Sequence, residues 1–130
     1  YEDTLTSRAK KLLQIIRVKD FIEFPGGAFA KEYIHKRAKR GITAYSLHPS
    51  SGYIHNELYG KESVQWKRYV RYLPAHIFYV STIMIYDYKV AMISTKAENF
   101  GFIIESKEFS NTLHAYFDFM WKLGTAKPDH

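Results

Sequence analysis

Four apolar runs crowd the stretch from residue 68 to residue 106: RYVRYL, STIMIYD, KVAMIST and FGFIIES. Each is the length of a strand, and the connections are too short for the dozen or more residues that a helical crossover needs. Spacing of this kind allows hairpins and little else, so this half of the chain predicts antiparallel sheet. A sheet needs cover on its faces, and the flanking segments read as that cover.

Upstream, DTLTSRAKKLLQIIR places Leu5, Ala9, Leu12, Leu13 and Ile16 at helical spacing, with Asp3 or Thr4 positioned to cap the free amides. It predicts an amphipathic helix. VKDFIEFPGG predicts a short aromatic strand from Phe21 to Phe24, stopped by Pro25 and the pair Gly26 and Gly27. AFAKEYIHKRAKRG predicts a helix with Phe29, Tyr33, Ile34 and Ala38 inward and Gly41 as its stop. ITAYSLHP is a strand ending before Pro49, and SSGYIHNELYGKESVQWK is a polar connection holding at most an irregular helix. SKEFSNTLHAYFDFMWKLG is a long helix capped by Ser106, burying Phe109, Leu113, Tyr116, Phe117 and Met120 and ending at Gly124. Helix and strand alternate first and strands cluster later, which predicts an α/β fold: a mixed sheet flanked by helices. One domain spans 1–124, and 125–130 form a frayed tail.

With 130 residues, 46% of them hydrophobic and 17% aromatic, the chain suffices for one core. It has no Cys, which excludes disulfides and thiolate metal sites and fits a reducing cytoplasm. No apolar run approaches the roughly 18 residues of a membrane span, and the start lacks a signal-peptide pattern. The net charge of +6 is uneven: residues 1–72 hold 14 Lys or Arg against 7 Asp or Glu, a balance of +7, and residues 73–130 hold 5 against 6, a balance of −1. A basic face of this kind attracts nucleic acid, anionic ligands or an acidic partner, and also arises from solvated helix surfaces.

No catalytic or cofactor motif frames these residues. The six histidines, His35, His48, His55, His76, His114 and His130, lack metal-ligand spacing with an acidic partner, and no serine sits in a nucleophile elbow. Neither a metal nor a cofactor is expected. Gly26 and Gly27 fit no phosphate-loop pattern, but a glycine loop between a strand and a helix borders the crevice where α/β folds bind ligands. The strand ends near Gly26, Gly27, His48, Ser50, Ser94 and Thr95 are therefore the candidate effector site, provided their strands are parallel neighbours. A second surface is basic and aromatic: Lys36, Arg37, Lys39 and Arg40 in YIHKRAKRG, and Lys67, Arg68 and Arg71 in WKRYVRY. Lys and Arg on phosphates with aromatic stacking on bases is how single strands are held. RYVRYL equally fits an ordinary strand with tyrosines on one face and arginines on the other.

The order of elements resembles one half of the phospholipase D-like fold, whose enzymes carry H-x-K-x4-D on a hairpin followed by Gly-Ser. With Asp87 aligned to the motif's Asp, the His position falls on Val80, the Lys position on Thr82, and the Gly-Ser position near Ser94 and Thr95. Val at the first position supplies no imidazole nucleophile, and Thr at the second supplies no cation for the phosphate oxygens. Over nearly the whole chain the resemblance is to the effector-binding domain of TrmB-like transcriptional regulators. The stretches FIEFPGG, FAKEYIHKRAKRGITAYSLHP, IYDYKVAMIS and FGFIIESKEFSNTLHAYFDFMWK carry it. That resemblance implies a non-catalytic regulatory domain that binds a small effector such as a sugar. It also implies a homodimer acting on DNA through a winged-helix domain upstream, in keeping with a start at Tyr1 rather than Met. The alternatives are a stand-alone nucleic-acid-binding module and an active phosphodiesterase. The last helix, with Phe117, Phe119, Met120 and Trp121 apolar on more than one side, fits docking of a second subunit.

Overall fold

A computed structural model of the chain describes residues 1–50, 58–76, 81–94 and 97–128, with the side chains of residues 24 and 25 excepted. A 3-10 turn, Glu2–Thr6, leads into strand β1, Lys11–Ile15. Helix α1, Val18–Phe21, runs through a wide π turn, Ile22–Gly26, into helix α2, Gly27–Lys39. Strands β2, Thr43–His48, and β3, Arg68–Tyr72, follow, then β4, Thr82–Tyr86, β5, Lys89–Ile93, and β6, Gly101–Glu105. Helix α3, Lys107–Leu123, closes the fold.

The six strands form one sheet in the order β3-β2-β1-β4-β5-β6. β1, β2 and β3 pair in parallel, whereas β4, β5 and β6 are antiparallel to their neighbours. The C-terminal ends of β1, β2, β3 and β5 therefore share one edge of the sheet. On one face α2 packs its Ala30, Tyr33 and Ile34 against Leu5, Ile16 and Phe21, beside a second cluster of Leu12, Ala44 and Met84, and α3 covers the other face over Leu13, Ile15, Leu47, Ile85 and Val90. The fold is thus α/β, with a mixed sheet between helices.

Two N-terminal expectations are overturned. The segment predicted as an amphipathic helix is the 3-10 turn followed by β1. Leu12, Leu13, Ile15 and Ile16 are all buried because β1 is central and covered on both faces, so its apolar residues need no alternation. The segment predicted as an aromatic strand is α1 and the π turn: Val18 and Phe21, three apart, both point into the core. A third correction concerns β3, which forms no hairpin with β4. It pairs with β2, and β4 crosses to the far side of β1.

The later elements follow the sequence. β4 and β5 turn at Asp87 and Tyr88, and Ser106 caps α3, its hydroxyl accepting from the Phe109 amide at 3.1 Å. α3 is less buried than its pattern predicts, with Phe117 inward but Phe109 and Tyr116 exposed. Thr125, placed by sequence in a frayed tail, exchanges two backbone hydrogen bonds with Tyr72. Among the described residues no helix is long and apolar enough to cross a membrane.

Candidate functional site

On the α2 face, the pleat brings the even-numbered residues of β1, β2 and β3 together beneath the helix. Gln14, Ser46 and His48 stand in neighbouring positions, and the Gln14 amide donates to Ser46 Oγ at 2.6 Å. His48 is 2% exposed and meets the Tyr72 ring edge-on, with centroids 5.8 Å apart. A narrow pocket of about 20 Å³, room for about one water, opens here between the sheet and the α1–α2 segment. Gln14, Tyr33, Arg37, His48, Tyr59 and Arg68 supply its polar lining.

Burial sets the charge states. It pushes the His48 imidazole down to about 3, with the Arg68 guanidinium a second cause, so His48 is neutral at physiological pH. Arg68 is pushed down to about 10, by burial first and then by Arg37, and stays charged. Burial also lowers Arg37, and it raises the Tyr33 phenol against the hydrogen bond that Tyr33 shares with Thr4. The pocket thus combines a neutral imidazole, an amide and phenols beside two cations, whose guanidiniums donate to the backbone carbonyls of Ile42, Trp66, Lys67, Leu58 and Lys61.

Of the residues proposed from sequence, His48 lines this pocket. Gly27 does not line it, but its carbonyl accepts at 3.4 Å from the hydroxyl of Tyr59, which does. Gly26, expected at a strand end, is instead the residue before α2, with φ +127° that suits glycine. Ser50 lies just beyond β2 and donates to the Leu73 carbonyl. Ser94 does not join them: it follows β5, three strands from β2, roughly 14 Å away by sheet spacing. Its hydroxyl accepts from the Phe100 amide at 2.8 Å and closes the β5–β6 turn. Thr95 lies outside the described residues. Gln14, Tyr33 and Tyr59 were missed because they reach the pocket only through strand pairing and helix docking across long sequence separations.

The basic face is divided by the fold. Arg37 is 2% exposed and donates to the carbonyls of Ile42, Trp66 and Lys67 at 2.8–3.0 Å, clamping α2 to the starts of β2 and β3. Arg68 is buried on the same face. Arg71, three residues on, falls on the opposite face, where it donates to the Trp121 carbonyl at 2.7 Å and lies 4.8 Å from the Trp121 ring. An odd spacing cannot keep both arginines of RYVRYL on one side of a strand, so the expected division into a tyrosine face and an arginine face does not form. Lys36, Lys39, Arg40 and Lys67 remain exposed. With Lys10 and Lys11 they gather at the N-terminal edge of the parallel strands, where Thr43 N donates to Lys10 O and Ala44 N to Lys67 O.

At that same edge lies a broad open depression bordered by Asp3, Arg8, Asp87, Lys89, Glu105 and Lys107. Both of its aspartates are engaged. Asp87 accepts from the amides of Arg8 and Ala9, both at 3.1 Å, and holds the approach to β1 against the β4–β5 turn. Asp3 accepts from the Tyr86 hydroxyl at 2.7 Å and pairs with Lys89 at 3.1 Å, which together hold its carboxyl below the usual range. Thr82 and Asp87, two positions of the aligned phosphodiesterase motif, stand at opposite ends of β4, about 16 Å apart at strand rise. Val80, the third, lies outside the described residues.

No protein-family model matches the sequence, and no curated protein matches it. Among solved structures, the chain is similar to TrmBL2, an archaeal chromatin protein whose structure shows a novel mode of DNA binding. The TM-score is 0.59 at 14% identity, over 96% of this chain and 48% of that one, so the chain spans about half the length of the protein it resembles.

Proposed function

We propose that this chain is the non-catalytic regulatory domain of a TrmB-like, DNA-associated protein and that it senses a small polar effector in the pocket beneath α2. The observation that carries the reading is the likeness of fold to TrmBL2 along nearly the whole chain. Amide, phenol and imidazole groups from four elements converge on the pocket, a lining with the chemistry for a polyhydroxylated ligand such as a sugar, and its roughly 20 Å³ means that binding has to widen it. The engagement of Asp87 by backbone amides supports the absence of phosphodiesterase chemistry. Effector binding would act by linkage, favouring one arrangement of the domain and through it the DNA affinity of a segment outside these residues.

The test is a calorimetric and thermal-shift series with mono- and disaccharides. The expected result is saturable binding that Tyr59→Phe weakens by about three- to tenfold, the size of one hydrogen bond. Failure of every sugar to bind or to raise the melting temperature would remove the effector reading. A second reading, direct nucleic-acid contact by the domain, is favoured by the gathering of Lys10, Lys11, Lys36, Lys39, Arg40 and Lys67 at one edge.

A further inference from the structure

The two edges of the sheet are treated differently. At β3 every outward amide is met: Arg68 N donates to Ser63 O at 2.9 Å, Val70 N to a Glu62 carboxylate oxygen at 3.1 Å, and Tyr72 N to Thr125 O at 2.7 Å. Such cover is how natural sheets prevent edge pairing. β6, at the other edge, has none of it. All five of its residues are exposed, it contains no Lys, Pro or bulge, and among the described residues nothing pairs with its outer side.

The ladder fixes which groups point outward. Ser94 N donates to Phe100 O and Ser106 N to Tyr88 O, so Phe100, Phe102, Ile104 and Ser106 bond back to β5 by antiparallel alternation. The amides and carbonyls of Gly101, Ile103 and Glu105 therefore face out. A two-fold axis through Ile103 would pair Ile103 with its own copy and Gly101 with Glu105, satisfying all of these groups reciprocally. Antiparallel pairing about Ile103 sets Glu105 against Gly101 and Lys107 against Asn99, with no like charges opposed. Parallel pairing in register would oppose Glu105 to Glu105, which is destabilising.

The side chains at this edge are apolar on both faces. Phe102 and Ile104 share the α3 face with Met92 and Val90, and Ile103, 51% exposed, points to the other. On α3, Trp121 packs towards β2 and β3, against Tyr45 and Arg71. Phe109, in the first turn of α3 directly after β6, is exposed as well, whereas the helix then runs across the sheet to end against β3. Half-exposed aromatic rings present on the order of 100 Å² each, so Phe100, Phe102, Ile103, Ile104 and Phe109 supply roughly half of the ~800 Å² that one partner gives to a stable interface, beside the paired backbone.

We propose that β6 is the homodimer contact. Two copies join β6 to β6 antiparallel about Ile103, making one twelve-stranded sheet with both α3 helices on one face and Phe102 and Ile104 of each copy brought together beside the axis. The inference rests on the edge alone and is independent of any effector.

Sedimentation equilibrium of the chain tests it. A dimer is expected, and Ile103→Lys, which opposes two cations across the axis, should weaken it at least tenfold while leaving the far-ultraviolet spectrum unchanged. A monomer at every concentration, or a dimer that Ile103→Lys leaves intact, would overturn the proposal. Because the chain has no Cys, Ile103→Cys supplies a second measurement that spares the apolar edge. Paired residues about 5.5 Å apart should cross-link through a short bis-maleimide, whereas Val64→Cys, 97% exposed in the turn before β3, should not. Equal cross-linking of the two variants, or none in either, would also overturn it.

Discussion

Protonating His48 requires a charge in the packed face beneath α2, beside Arg68. Its folded pKa, about 3, lies below the ordinary 6.5, so the fold prefers the neutral ring. Above pH 6.5 both folded and unfolded chains are neutral here and the contribution is complete. As pH falls from 6.5 towards 3 the unfolded chain takes up a proton that the fold refuses, and stability drops by about 1.4 kcal/mol per pH unit. Urea denaturation at stepped pH should show this decline in the wild type, and His48→Gln should flatten it. An unchanged slope in the variant would assign the acid sensitivity elsewhere. Asp3 contributes in a lower window, because its pairing with Tyr86 and Lys89 is lost only as pH falls below the ordinary carboxylate range. His48 was legible in the sequence as a polar residue at a strand end before Pro49, but its burial was not, since that depends on Tyr72 and on α2 lying over it.

At the scale of elements, legibility tracks locality. The β4–β5 and β5–β6 hairpins and the capped α3 are set by short spacing and by Ser106, all local signals, and they stand where the sequence puts them. β1 does not, because a strand buried on both faces has the continuous apolar run LLQII, which satisfies a helical template by accident. α1 fails in the opposite sense, since VKDFIEF is too short and too aromatic to show its three-residue spacing. The junction of α3 with β3 was equally invisible, and it carries a prediction. Gly124 ends α3 against β3, and a Cβ built there lies 2.9 Å from Arg71 Cβ and 3.3 Å from the Trp121 carbonyl oxygen. Neither neighbour is a flexible side-chain end. Gly124→Ala should therefore destabilise the fold by about 1–3 kcal/mol, read as a lower urea midpoint. A wild-type midpoint would mean that the α3 terminus moves away from β3 at no cost.

For the whole molecule, charge and edges define separate surfaces. The lysines at the N-terminal edge of β1–β3 predict weak oligonucleotide binding whose logarithm falls with log salt by roughly 0.7 per neutralised phosphate of a single strand. The double variant Lys39→Ala, Lys67→Ala should lower that slope by about one to two. Salt-independent binding, or an unchanged slope, would exclude this edge as the contact. The difference between the sheet's two ends has a further consequence. With Ser63, Glu62 and Thr125 occupying the outward amides of β3, growth by strand addition has a single starting point and no second one. A second copy docked along β6 presents only its covered β3 margin, so crowding of this chain yields closed pairs and not the open-ended filaments that a sheet with two bare margins invites.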